Sequence, residues 1–127
     1  GVNARDLYVV EQNRQFAALL EQRFPLSEII VADALALSNH LKGLAGSFDF
    51  VISGLPLLLF NRTQKRRLLE EAFSLLTRAG RFHQFTYGGR CSVGATLLKT
   101  LHLKKALIGI SPLNIPPAFV YRIERAC

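Results

Sequence analysis

No Gly-x-Gly-x-Gly segment occurs anywhere in this sequence. Gly88-Gly89 and the Gly43/Gly46 pair lack both the spacing and the preceding strand of a phosphate-binding turn, which argues against a nicotinamide enzyme. Cysteine is scarce: the two residues, Cys91 and Cys127, form no C-x-x-C pair. A thiolate metal site and a disulfide framework are therefore disfavoured, and a reducing cytoplasm is expected. The longest apolar run, residues 55–60, falls far short of the roughly 18 residues of a membrane span, and the first residues carry no signal-peptide pattern. There is no H-E-x-x-H, no P-loop and no legible nucleophilic triad, and His83 and His102 have no ligand spacing around them. Acidic residues number 9 against 16 Lys and Arg, for a net charge of +7 and a pI near 10.0. That excess favours an anionic partner, whether RNA, DNA or acidic lipid headgroups, and charge alone does not choose among them.

The 127 residues fit one domain, and with 50% hydrophobic residues and nine Phe they can build a sizeable core. Strand and helix patterns alternate. Leu7 to Glu11 reads as a strand ending in an acid. Asn13 is placed to cap a helix carrying Phe16, Leu19, Leu20 and Phe24, and Pro25 ends it. Glu28 to Ala32 is a second strand, closed by Asp33, and a helical segment is expected near Ala36 to Leu44. Asn61 or Thr63 opens the longest helix, to about Thr77, with Leu68, Leu69, Ala72, Phe73, Leu75 and Leu76 as its apolar side. Arg62, Lys65, Arg66 and Arg67 load its first turns against the helix dipole. They read as a solvated face or as phosphate contacts. Arg81 to Tyr87 is a strand, Val93 to Leu101 a helix, and Lys104 to Ile110 and Phe119 to Ile123 are strands joined by a Pro-rich loop. The last two have no helix between them, so antiparallel pairing is expected. The whole is an α/β sandwich with a mainly parallel sheet.

Phe48-Asp49-Phe50-Val51-Ile52-Ser53 is dense enough in apolar residues to be an interior strand, and Gly54-Leu55-Pro56 turns the chain sharply at its end. In open α/β sheets ligands bind just beyond the carboxyl ends of strands. Ser53 to Pro56 therefore mark the candidate place of the chemistry, with a simple strand end as their structural reading. Glu11 and Asp33, the acids that close their strands, each have a structural reading as helix caps.

The ordered segments Val9-Val10-Glu11, Val31-Ala32-Asp33-Ala34, Ser53-Gly54-Leu55-Pro56-Leu57-Leu58, Leu76 to Phe82 and Asn114-Ile115-Pro116-Pro117-Ala118 resemble a class I S-adenosylmethionine-dependent methyltransferase. Within that superfamily the chain is most similar to bacterial phospholipid N-methyltransferases, relatives of the ribosomal RNA adenine dimethylases. The resemblance implies a Rossmann-like three-layer sandwich with an antiparallel C-terminal hairpin, and S-adenosylmethionine as cofactor. It implies that Glu11 accepts hydrogen bonds from the cofactor ribose and that Asp33, with Ala34 beside the ring, holds the adenine. Ser53, Gly54, Leu55 and Pro56 would line the methyl-transfer point. Tyr87 and Asn114 would shape the acceptor pocket, with His83 or Tyr87 as a base. Arg62 and Arg66 would meet phosphate.

The superfamily opens with a strand, a glycine-rich loop and a helix, and that strand is normally central. This sequence begins at what resembles the second strand. Three arrangements follow: the sheet closes up with another pairing, a second protomer supplies a strand, or the chain is a fragment of a longer product. The acceptor expected is a phosphatidylethanolamine-type amine at an anionic membrane surface, with the protein cytoplasmic and peripheral to the inner face. One alternative is RNA adenine, against which stands the lack of an aromatic after Pro56. The other is a non-catalytic remnant that forms homo-oligomers by strand exchange.

Overall fold

The computed structural model describes residues 3, 6–87, 93–111 and 118–126. The Gly88-Gly89 turn, Cys91, Asn114 and Cys127 lie outside the described residues. The chain forms two compact units, Gly1–Lys42 and Gly43–Cys127.

The first unit is a strand–helix–strand. β1 (Tyr8–Glu11) and β2 (Glu28–Val31) run parallel, Tyr8 opposite Glu28 and Glu11 opposite Val31. Helix α1 (Arg14–Arg23) connects them. Its start is set by Asn13, whose Oδ1 accepts the Phe16 amide at 2.9 Å. This satisfies a donor that the helix itself leaves orphaned. The Phe24 amide donates to the Leu20 carbonyl at 2.8 Å, and the helix stops ahead of Pro25, whose ring nitrogen has no proton to donate. After β2 the structure departs from the expected helix over 36–44. Asp33 caps a 3-10 turn at Ala34–Ala36, and only a single α turn, α2 (Leu37–His40), follows. Its end is close to Gly43, which takes a φ of +85° that a side-chain-bearing residue disfavours.

The second unit is a four-stranded sheet in the order β3-β4-β6-β5: β3 (Phe48–Ser53), β4 (Leu76–Tyr87), β5 (Leu103–Ser111) and β6 (Ala118–Arg125). β3 and β4 are parallel, and β6 runs antiparallel to both β4 and β5. The expected antiparallel closing pair is present, and β6 also fills the place between β4 and β5. β1 pairs with β2 and β3 pairs with β4, so no described strand pair joins the two sheets.

Helix α3 (Arg62–Leu75) begins at Asn61, not Thr63. Asn61 Oδ1 accepts the Gln64 amide at 2.8 Å and Gln64 Oε1 accepts the Asn61 amide at 2.9 Å. This reciprocal box satisfies two donors at once. Leu68, Leu69, Ala72, Phe73 and Leu75 are buried, as their spacing predicts, and Phe73 stacks on Phe82 of β4 at 6.4 Å. Together with α4 (Ala95–Thr100) this helix covers the sheet face that carries Phe82, Gln84, Tyr121 and Ile123.

The helix is two residues shorter than expected, and β4 starts at Leu76 rather than Arg81. Leu76 is already extended and pairs with Phe48, whereas the next pair is Phe50 with Arg81. The intervening residues 77–80 bulge out opposite Asp49. Gly80 closes that bulge, since a Cβ there would lie 2.8 Å from the Leu76 Cβ. Arg125 holds the same corner. Its Nη1 donates to the Thr77 carbonyl at 2.7 Å and its Nη2 to the Phe73 carbonyl at 2.8 Å, with the guanidinium 5.3 Å from the Phe73 ring centroid. A cation at the last carbonyls of a helix is favoured by both hydrogen bonding and the dipole.

Candidate functional site at the strand ends

In the first unit the parallel register carries Glu11 and Asp33 to the carboxyl ends of adjacent strands. Each carboxylate uses one oxygen locally. Glu11 Oε1 accepts the Asn13 amide at 3.0 Å, and Asp33 Oδ1 accepts the Leu35 amide at 2.9 Å. Asp33 thus caps its 3-10 turn, whereas α1 is capped by Asn13 and Glu11 holds only the amide of that cap, so this local use is structural. It accounts for only half of each carboxylate: among the described residues Glu11 Oε2 and Asp33 Oδ2 have no hydrogen-bond partner. An ionised carboxylate is an acceptor only, with about four lone-pair sites. Two such oxygens at neighbouring strand ends suit a ligand rich in hydroxyl and amino donors. Ala34 follows directly and is half-buried.

In the second unit β3 ends at Ser53, which is buried, and its Oγ accepts the Leu55 amide at 3.2 Å. The turn is thus closed by a side chain of the strand that it terminates. Gly54 has open space where a Cβ would stand. The backbone is therefore accessible at this turn.

The turn is also held from β4. Gln84 lies opposite Ser53 and is only 1% exposed. Its Nε2 donates to the Leu55 carbonyl at 2.8 Å and to the Phe85 carbonyl at 2.9 Å, while its Oε1 is buried without a partner. Sequence reading placed Gln84 in a strand without giving it this task. The available signal was its phase: it shares the inward register of Phe82 and Thr86, where a polar residue needs a reason.

His83 sits one residue before that level, paired with Ile52 and Arg122, on the sheet face away from Phe82 and Gln84. Its ring lies 5.9 Å from Phe50, tilted by 40°. Burial, then the charges of Arg122 and Arg81, hold its pKa below the usual 6.5. The imidazole is consequently neutral at pH 7 and retains a lone pair. Tyr87 closes β4 through its backbone, opposite Ala118.

Arg62 is exposed at the first position of α3, with no ion-pair partner among the described residues. Arg66 is paired with Glu70 at 3.5 Å, both about half exposed, a contact of the kind that contributes little. Two cavities of ≈ 300 Å³ each lie at the other end of this sheet, lined by Leu103, His102 and Ala126 among others. They are separated from the Ser53 turn by the length of the strands. Among the described residues no group of His, Cys, Asp and Glu is placed to hold a metal, and no helix is long and apolar enough to cross a membrane.

No family model and no curated protein matches the sequence. Solved structures do match. A 1,6-didemethyltoxoflavin-N1-methyltransferase of Burkholderia thailandensis, with S-adenosylhomocysteine bound, superposes with a TM-score of 0.64 at 16% identity, over 94% of this chain and 61% of that one. A TehB-like SAM-dependent methyltransferase from Corynebacterium glutamicum gives 0.65 at 15% identity, over 93% of this chain and 67% of that one. An rRNA methylase from Streptococcus thermophilus gives 0.61 at 17% identity, over 94% and 73%. The chain therefore has the Rossmann-like fold of class I methyltransferases and spans 61% of the length of the first of these structures.

Proposed function

We propose that this chain carries the ribose- and adenine-binding side and the acceptor side of an S-adenosylmethionine-dependent methyltransferase. The observation that supports it best is the pair of half-used carboxylates, Glu11 and Asp33, at adjacent parallel strand ends in a fold shared with such enzymes. The acceptor set fits the cofactor: Glu11 Oε2 would accept from the ribose hydroxyls and Asp33 Oδ2 from the adenine amino group, with Ala34 against the ring. The cofactor supplies an electrophilic methyl group on a sulfonium. The protein then has to align an acceptor lone pair and keep it unprotonated, so positioning is its main contribution. In the second unit the Ser53–Pro56 turn, fixed by Ser53 Oγ and Gln84 Nε2, is the part proposed for the acceptor side.

For the acceptor, the resemblance of Ser53 to Leu58 favours the amine of a phosphatidylethanolamine-type headgroup over RNA adenine. No aromatic follows Pro56 to stack on a flipped base. Isothermal titration of the 127-residue chain with S-adenosylhomocysteine tests the reading. Saturable binding is expected, weakened about tenfold or more in Glu11→Gln, where one charge-assisted acceptor is lost. A folded chain that binds neither S-adenosylhomocysteine nor S-adenosylmethionine would remove the proposal.

A further inference from the structure

The turn after Pro56 presents leucines to solvent. Leu57 of the 3-10 turn Leu57–Leu59 is 1% exposed and anchors it in the core, which forces the next two outward: Leu58 is 56% exposed and Leu59 82%. Single exposed leucines are ordinary. These are adjacent, they follow directly on the Ser53–Pro56 turn, and they lead into the cationic start of α3.

The cations there are divided by their partners. Arg66 and Arg67 are neutralised by Glu70 and Glu71 one turn on. Arg62 and Lys65 have no ion-pair partner among the described residues, and they share one side of the helix by their three-residue spacing. No acid lies in the first turn of α3. Cations at a helix start oppose its dipole, so helix stability does not account for them. Asn61 Oδ1 already accepts the Gln64 amide of that start, and the two cationic side chains supply the attraction to an anion.

An RNA backbone would use Arg62 and Lys65 but would find nothing in Leu58 and Leu59. An anionic bilayer uses both, because the leucines enter the acyl boundary while the cations meet the headgroups. We propose that Leu58, Leu59, Arg62 and Lys65 form a docking surface for an anionic lipid bilayer. It sits beside the Ser53–Pro56 turn, so a lipid amine is delivered to the place where transfer is proposed. In its purpose the surface rests on the headgroup reading above. Two leucines and two cations make a shallow attachment, reversible and released by salt.

The test is co-sedimentation of the 127-residue chain with phosphatidylcholine vesicles with and without phosphatidylglycerol. Binding is expected only with phosphatidylglycerol and is expected to fall as salt rises. Leu59→Asp should weaken partitioning about tenfold or more, and Arg62→Glu at least about fivefold. Lys99→Glu, an equal charge change at an exposed position on α4, should have a much smaller effect. All three positions are exposed, and unchanged circular dichroism confirms the fold. Absence of vesicle binding, binding indifferent to Leu59→Asp, or equal losses in Arg62→Glu and Lys99→Glu would each overturn the proposal. So would a gel shift with duplex RNA that Arg62→Glu abolishes and Leu59→Asp leaves intact. Calorimetry with S-adenosylhomocysteine on the same samples separates the two claims. Vesicle binding without cofactor binding removes the catalytic reading alone, and the converse removes the docking surface alone.

Discussion

Replacing Gln84 tests how the candidate transfer turn is held. Its Nε2 donates to two carbonyls, of Leu55 and Phe85, while its Oε1 is buried with no donor. In Gln84→Leu two hydrogen bonds worth about 1 kcal/mol each are lost, but so is an unpaired acceptor whose burial costs about 1–3 kcal/mol. The two effects nearly cancel, and a stability change within about 1 kcal/mol is expected. Gln84→Glu has almost the same shape and the opposite chemistry. An ionised carboxylate donates nothing and would face two carbonyl oxygens in a site that is 1% exposed. Its cost at pH 7 should be about 3 kcal/mol or more. Burial would raise the pKa of that glutamate above its unfolded value, so the folded state would bind the proton more tightly than the unfolded one. The penalty is then absent below the unfolded pKa of about 4.3 and grows as pH rises toward the folded pKa. Urea denaturation followed by far-ultraviolet circular dichroism at pH 5 and pH 7 measures both effects. Equal destabilisation by the two substitutions, independent of pH, would refute the assignment of Nε2 as the clamp.

Three further outcomes are expected. The His83 pKa is lowered by burial and by Arg122 and Arg81, so the unfolded state binds the proton more readily. Stability should therefore fall as pH drops from about 6.5 toward the folded pKa and level off below it, and His83→Gln should flatten that part of a denaturation–pH profile. Ile52 is 71% exposed and Phe50 57% on β3, a strand paired on one side only among the described strands. Unpaired apolar edges associate, so Ile52→Lys should lower the self-association seen by sedimentation velocity at high concentration, and an unchanged profile would clear this edge. Arg125→Met removes the guanidinium contacts to the Phe73 and Thr77 carbonyls and to the Phe73 ring, and should cost about 3 kcal/mol in urea denaturation.

Local features of the chain were legible because local rules dictate them. Asn13 and Asn61 cap helices through bonds spanning three residues, Pro25 lacks an amide proton, and the spacing from Leu68 to Leu75 is that of a buried helix side. The acids after β1 and β2 were legible for the same reason, as strand-end residues. What sequence alone left open was set by pairing partners distant along the chain. Leu76 left the helix because Phe48 offered it a ladder position, and Arg125 came back 52 residues later in sequence to hold that corner through the Phe73 carbonyl. Gln84 became the clamp of the Leu55 turn, 29 residues away, only once β4 lay against β3. The exposed Leu58 and Leu59 likewise depended on which of three consecutive leucines the core accepted. Sequence determined where strands end in acids and turns, because backbone propensity and capping act over a few residues. Tertiary structure decided which oxygens remain free and which side chains face solvent, because those depend on register between segments that no local pattern encodes.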